Sequence, residues 1–90
     1  MKRVAIEDSL DLHSFLPRDV RSVVSEYLDE AIKLGFREVR LIHGKGKGVR
    51  RAELRRLLSG DPRVKDAFDA PPDRGGFGAT IVVLAVRRGI

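Results

Sequence analysis

Ninety residues, 42% of them hydrophobic and carrying a net charge of +5 from 18 Lys and Arg against 13 Asp and Glu, are enough for one domain. A chain this short buries only about three fifths of its extended surface and cannot support two cores. It has no cysteine, which excludes a disulfide framework or a thiolate zinc site and favours a cytoplasmic enzyme or binding module over a small secreted scaffold.

The start, Met1 to Asp8, is charged with no apolar run behind it, so neither a signal peptide nor a membrane span is expected. From Ser9 to His13 polar and apolar residues alternate as in a half-buried strand, placing Leu10 and Leu12 toward the core and Asp11 and His13 away from it. Ser14 to Asp19 reads as a loop into a helix, with Pro17 near the first turn. Val20, Val23, Val24, Tyr27, Leu28, Ala31 and Ile32 then recur at helical spacing, and Gly35 supplies a left-handed stop. Phe36 to His43 is a second strand, with Val39 and Leu41 on one face and Arg40 and Ile42 on the other.

The chain is organised around one stretch, Ile42-His43-Gly44-Lys45-Gly46-Lys47-Gly48-Val49-Arg50-Arg51, which runs from a strand through a glycine and lysine loop into a basic helix. The unpaired amides and positive dipole end of such a helix, behind glycines that let the backbone come close, suit a phosphate. The spacing is not that of the nucleotide-binding loop of NTPases, so a polymer phosphate fits better than ATP. From Lys45 to Arg56, Lys45, Lys47, Arg50, Arg51, Arg55 and Arg56 are opposed only by Glu53, a charge pattern suited to a polyanion. A bare glycine turn and a solvated helix face would not explain the lysines between the glycines or the histidine before them.

The second helix spans about Val49 to Ser59, with Val49, Ala52, Leu54, Leu57 and Leu58 available for the core, and Gly60-Asp61-Pro62 ends it. Val64 to Ala70 forms a third strand, Pro71 to Gly78 a loop, and Ala79 to Val86 a strongly β-forming fourth strand. The order βαβαββ predicts an α/β two-layer sandwich. Right-handed crossovers make the first three strands parallel and put both helices on one face, and the last strand, reached by too short a connection, is antiparallel. Residues 1–8 are then an N-terminal extension, 9–86 the domain and 87–90 a basic tail.

Parallel strands bring their C-terminal ends to one edge, where open α/β sheets bind ligands. Asp11, His13, His43 with its loop, and the Arg74 to Gly78 loop are therefore expected to meet. Two imidazoles beside a bound phosphate can divide acid and base work in phosphodiester cleavage. Asp11 either orients the neighbouring imidazole or joins it on a divalent ion. No tightly bound cofactor is expected; Mg2+ or Mn2+ arriving with the substrate phosphates is the form a metal would take. Arg74, Gly75 and Gly76 form either a plain turn or a second phosphate grip, with Phe77 offering a ring for a base.

Three segments carry a family likeness: Leu10-Asp11-Leu12-His13, His43-Gly44-Lys45-Gly46 and Gly75-Gly76-Phe77-Gly78-Ala79-Thr80. In this order and spacing, from about Ser9 to Leu84, the chain resembles the Smr (small MutS-related) domain. The resemblance implies a fold like the C-terminal domain of the third bacterial translation initiation factor, nucleic-acid binding and, in several members, endonuclease activity on DNA or RNA. It implicates Asp11, His13, His43, Gly44, Lys45 and Gly46. The family's first motif usually continues with glycine, where this chain has Ser14.

Two function classes fit these residues: an endonuclease using Asp11, His13 and His43, or a DNA-, RNA- or ribosome-binding module without chemistry. A small-molecule phosphate enzyme would need an enclosed pocket. The residues do not choose between DNA and RNA, nor do they fix an oligomeric state.

Overall fold

The computed structural model describes residues 8–46 and 48–85. In chain order its six main elements are β1 (Ser9–Asp11), α1 (Val20–Lys33), β2 (Glu38–Ile42), α2 (Val49–Ser59), β3 (Val64–Asp69) and β4 (Ala79–Leu84). The expected roles of Lys47, the basic tail and most of the N-terminal extension lie outside the described residues.

The helix α1 is the amphipathic element its spacing announces, burying Val24, Tyr27, Leu28 and Ala31. It stops because Gly35 takes φ +84°, a conformation that costs glycine little. That turn lets the Gly35 amide donate to the Ile32 carbonyl and the Phe36 amide to the Ala31 carbonyl. These are the two bonds of a Schellman ending. Spending the Phe36 amide this way delays β2 to Glu38, two residues later than the alternation predicts.

The sheet order is β1-β2-β4-β3, with β1 parallel to β2 and β4 antiparallel to both β2 and β3. The first three strands therefore share one direction. The strand β4 lies inside the sheet because almost every residue of Ala-Thr-Ile-Val-Val-Leu is buried; β3, with Lys65 and Asp66 exposed, suits an edge.

One core joins the helices to one sheet face, with Val24, Leu28 and Ala31 from α1, Leu54 and Leu58 from α2, and Val39, Leu41, Val82 and Leu84 from the sheet. The second helix gives less than its sequence offers. Val49 and Ala52 are exposed, leaving Leu54 and Leu58 buried and Leu57 partly covered. A small second cluster of Ala70, Ala79 and Ile81, with Ile42 against it, forms on the other face. The 71–78 segment, wound into two 3-10 turns at Pro72–Arg74 and Gly76–Gly78, leads across to β4.

Candidate nucleic-acid interface

The strand ends meet at one edge. The Leu12 amide donates to the Ile42 carbonyl, and the amides of His43 and Gly44 both donate to the Gly78 carbonyl, at 3.0 and 2.9 Å. Thus the ends of β1 and β2 and the lead-in to β4 are tied together by backbone bonds. Asp11, His13 and the glycine loop converge as the topology requires.

Asp11 and His13 form a closed pair. The His13 amide donates to Asp11 Oδ1 at 2.9 Å, and ring Nδ1 lies 2.7 Å from the same oxygen. A carboxylate only accepts, so Nδ1 carries the hydrogen and Nε2 is the nitrogen left with a lone pair. The amide and ring donors of His13 hold the Asp11 carboxyl below the usual carboxylate range. Both side chains are exposed, and Nε2 makes no hydrogen bond to the described residues. His13 lies over Gly44, whose φ of +86° and missing Cβ make room for it: a Cβ there would stand 2.5 Å from Nε2.

His43 is placed quite differently. It is only 3% exposed. Its Nδ1–H donates to the Gly44 carbonyl at 2.9 Å, and its Nε2 accepts from the Thr80 hydroxyl at 3.0 Å. The carbonyl can only accept, which fixes the tautomer. Burial pushes the His43 pKa down; the Gly44 carbonyl and Asp69 pull upward without cancelling it, and Arg51 and Arg55 add to the lowering. Both nitrogens of this neutral ring are occupied by the protein. The expectation that two imidazoles share acid and base work therefore meets one ring with an open nitrogen and one without. Alternation held the clue, since His43 follows Leu41 by two residues on the core-facing side. Thr80, in an otherwise apolar strand, is the partner that alternation alone does not reveal.

The loop leaves part of its amide array unspent. The amides of His43, Gly44 and Gly48 are spent on the carbonyls of Gly78 and Lys45. No hydrogen bond among the described residues takes those of Lys45 and Gly46. No side chain caps α2, and its N-cap, Gly48, sits at φ +84°. The first α2 amides thus face outward with the dipole behind them.

The arginines divide into free and committed groups. Arg51 donates to both carboxylate oxygens of Asp69 at 2.8 Å, Arg55 adds a bond at 3.1 Å, and Arg51 also lies 5.6 Å from the centroid of the Phe77 ring. The Asp69 pair holds Arg51 protonated still more firmly than usual. Arg50 has no ion pair among the described residues. Treating the run as one uniform patch misses Asp69, because the partner comes from β3 and no local spacing signals it.

Arg74, Gly75 and Gly76, read from the sequence as either a turn or a second phosphate grip, are tied to neighbouring parts of the protein. The Arg74 guanidinium lies 3.4 Å from Glu38, its carbonyl accepts from Arg40 at 2.9 Å, and the Gly76 amide donates to Pro71. Gly75, at φ +115°, has space for no Cβ, which would stand 2.8 Å from that of Ala79. The segment is a clasp on the sheet, with Phe77 left 67% exposed at its end.

The Smr domain model matches residues 10–85. The chain belongs to the Smr family. Its Smr domain is 41% identical over 75 residues to the protein named endonuclease MutS2 of Thermus thermophilus, covering 83% of this chain and 10% of that protein. It is 42% identical over 80 residues to endonuclease MutS2 of Pelotomaculum thermopropionicum, covering 89% and 10%. The chain thus spans about a tenth of the length of these relatives. Among solved structures, the Smr domain of Thermus thermophilus MutS2 superposes with a TM-score of 0.80 at 40% identity, covering 86% of this chain and 96% of that one. YdaL, a stand-alone small MutS-related protein from Escherichia coli, gives 0.80 at 30% identity, covering 90% and 67%. The two-layer arrangement of an Smr domain agrees with the sheet and helices of this chain. No helix among the described residues is long and apolar enough to cross a membrane.

Proposed function

We propose that this Smr domain binds nucleic acid along the glycine-loop edge and cleaves a phosphodiester bond there, with His13 as the base. The observation that carries this is the lone nitrogen of His13, which is oriented by Asp11 and held over Gly44, the residue that leads into the unspent amides of Lys45 and Gly46. A phosphate resting on those amides, with Lys45 and Arg50 beside it, would present its phosphorus to a nucleophile activated at Nε2. On RNA, Nε2 takes the proton of the 2′-hydroxyl, the oxygen attacks phosphorus, and the 5′ oxygen leaves with a proton from water. On DNA, the deprotonated group is water and the products are a phosphate and a hydroxyl end. Asp11 stabilises the imidazolium in either case. His43 acts through the loop it anchors.

Among the described residues no three His, Cys, Asp or Glu side chains come together as a metal site, and Asp11 has one oxygen committed to His13. A divalent ion arriving with the substrate phosphates would supply charge neutralisation there. The relatives named endonuclease support the reading by kinship.

A cleavage panel of supercoiled plasmid, single-stranded DNA and folded RNA, with Mg2+ or Mn2+, tests it. His13→Ala should lower cleavage at least about 100-fold while binding is retained. Wild-type protein that leaves all three substrates intact between about pH 5 and 9 would sink the cleavage claim. That result would favour a binding module without chemistry, a reading that gains from the sealing of His43.

A further inference from the structure

Between the N-terminal ends of α1 and α2, directly beneath the glycine loop, lies a cleft of about 410 Å³, within the size range of small-molecule sites. Leu12, Leu54 and Leu57 line its depth, Pro17 and Val20 one wall, and Val49 the other; His43 also borders it. The same two strand ends build the cleft and the reactive edge. Leu12 lines the cleft and His13 follows it; His43 lines the cleft and Gly44, against which His13 rests, follows that. The cleft and the phosphate loop are thus one residue apart on both strands.

Its mouth is polar and uncommitted. Arg21, Arg50 and Glu53 border it, and no ion pair or hydrogen bond among the described residues engages their side chains. This contrasts with Arg51, Arg55 and Arg63, all paired. A larger groove of about 800 Å³ farther along the same helices shares Arg21, Glu53 and Leu57 with the cleft, but its far side is bordered by Arg63, which Asp61, Asp29 and the Ser25 carbonyl already saturate.

An apolar slot with two cations and one carboxylate at its rim, opening beside a phosphate seat, matches a nucleotide: a flat base for the walls, a phosphodiester for the loop and arginines. We propose that this cleft receives one unstacked base of the bound strand. This rests on the proposed nucleic-acid function and narrows it to substrates with an unpaired nucleotide at the loop. The Glu53 carboxylate, an acceptor, favours bases carrying an amino group, namely adenine, cytosine and guanine, over thymine.

The test compares fluorescence anisotropy of the full chain on a short duplex, on that duplex with one bulged nucleotide, and on one with the bulged position abasic. The bulged adenine duplex should bind about tenfold tighter than the paired one, and the abasic bulge should lose the gain. Val49 is 59% exposed, so Val49→Trp fills the mouth without disturbing the core, and should bring bulge affinity down to the duplex level. Glu53→Ala should erase the preference for bulged adenine over bulged thymine, and the Leu54 and Leu57 methyl resonances should shift on adding the bulged duplex. Equal binding of paired and bulged duplexes overturns the base cleft and leaves phosphate binding standing, whereas binding of neither overturns both. A bulge preference untouched by Val49→Trp, with those methyls unmoved, also overturns it. So does a concentration-dependent dimer abolished by Val49→Trp with the preference intact, which would assign the cleft to a second copy of the chain.

Discussion

The ring of His13 lies over Gly44, so a residue from the end of β1 and one from the loop after β2 share a single position. A Cβ at residue 44 would stand 2.5 Å from His13 Nε2, on a backbone at φ +86°. Gly44→Ala therefore imposes two penalties, left-handed strain of about 1 to 2 kcal/mol and displacement of the imidazole. The expected result is a fold weakened by about that much and cleavage lost to the level of His13→Ala. Urea unfolding and a plasmid or RNA cleavage assay on the one variant check both, and a variant cutting at the wild-type rate would refute the contact's importance.

In the proposed mechanism Asp11 acts through His13, whose amide and ring both engage its Oδ1. Asp11→Asn keeps an acceptor for Nδ1 and removes the charge that steadies the imidazolium. Cleavage should fall by about 10- to 100-fold, with the affinity for an uncleaved analogue little changed. An unchanged cleavage rate would confine Asp11 to a structural role.

Much of this edge was legible in the sequence because its determinants are local. Alternation at Ser9 to His13 and around Val39 and Leu41 fixes which side chains face the core, and the lengths of the connections fix strand direction. What escaped depends on partners distant along the chain. Asp69 draws Arg51 and Arg55 out of the free basic patch across 18 and 14 residues, and Thr80 captures His43 across 37. Shared chemistry does not mean shared role: of two histidines brought to one edge, the strand's alternation sends His43 inward, and the turn beyond β1 leaves His13 in solvent.

The Thr80 hydroxyl gives the buried Nε2 of His43 its one donor among the described residues. Thr80→Val preserves shape and takes from Nε2 of the buried His43 the donor it has, a loss of about 1 to 3 kcal/mol. Chemical denaturation should show that loss, together with weaker nucleic-acid binding as the Gly44 turn loosens. Thr80→Ser, which keeps the hydroxyl, should recover most of the binding. A Thr80→Val protein as stable as wild type would mean that the ring finds another donor.

The burial of His43 also makes stability depend on pH. The folded protein takes up this proton less readily than the unfolded chain, whose histidine titrates near 6.5. Stability from the neutral ring is therefore intact above pH 6.5 and declines as the pH falls from there toward the lower folded-state pKa. The carboxylates Asp11, Asp61 and Asp69, also shifted down, act only in the separate window below their ordinary value of 3.8. Urea midpoints taken at about pH 7.5, 6.5 and 5.5 should fall more steeply for wild type than for His43→Gln. Parallel declines would show that the ring is not buried neutral.

Arg50 and Arg51 are neighbours in sequence with opposite commitments, and salt dependence separates them. Each phosphate contact that a cation makes contributes about 0.9 to the slope of log affinity against log salt on duplex DNA. Arg50, unpaired among the described residues, should carry a full contact, so Arg50→Ala should flatten the slope by about 0.9. Arg51 would first have to leave the carboxylate of Asp69, to which it donates twice at 2.8 Å. Arg51→Ala should therefore flatten the slope much less, and Asp69→Asn, which releases both Arg51 and Arg55, should steepen it and raise affinity at low salt. Binding isotherms at four salt concentrations for the three variants are sufficient. If Arg51→Ala and Arg50→Ala flatten the slope equally, the pair with Asp69 opens on binding and Arg51 belongs with the free cations of the interface.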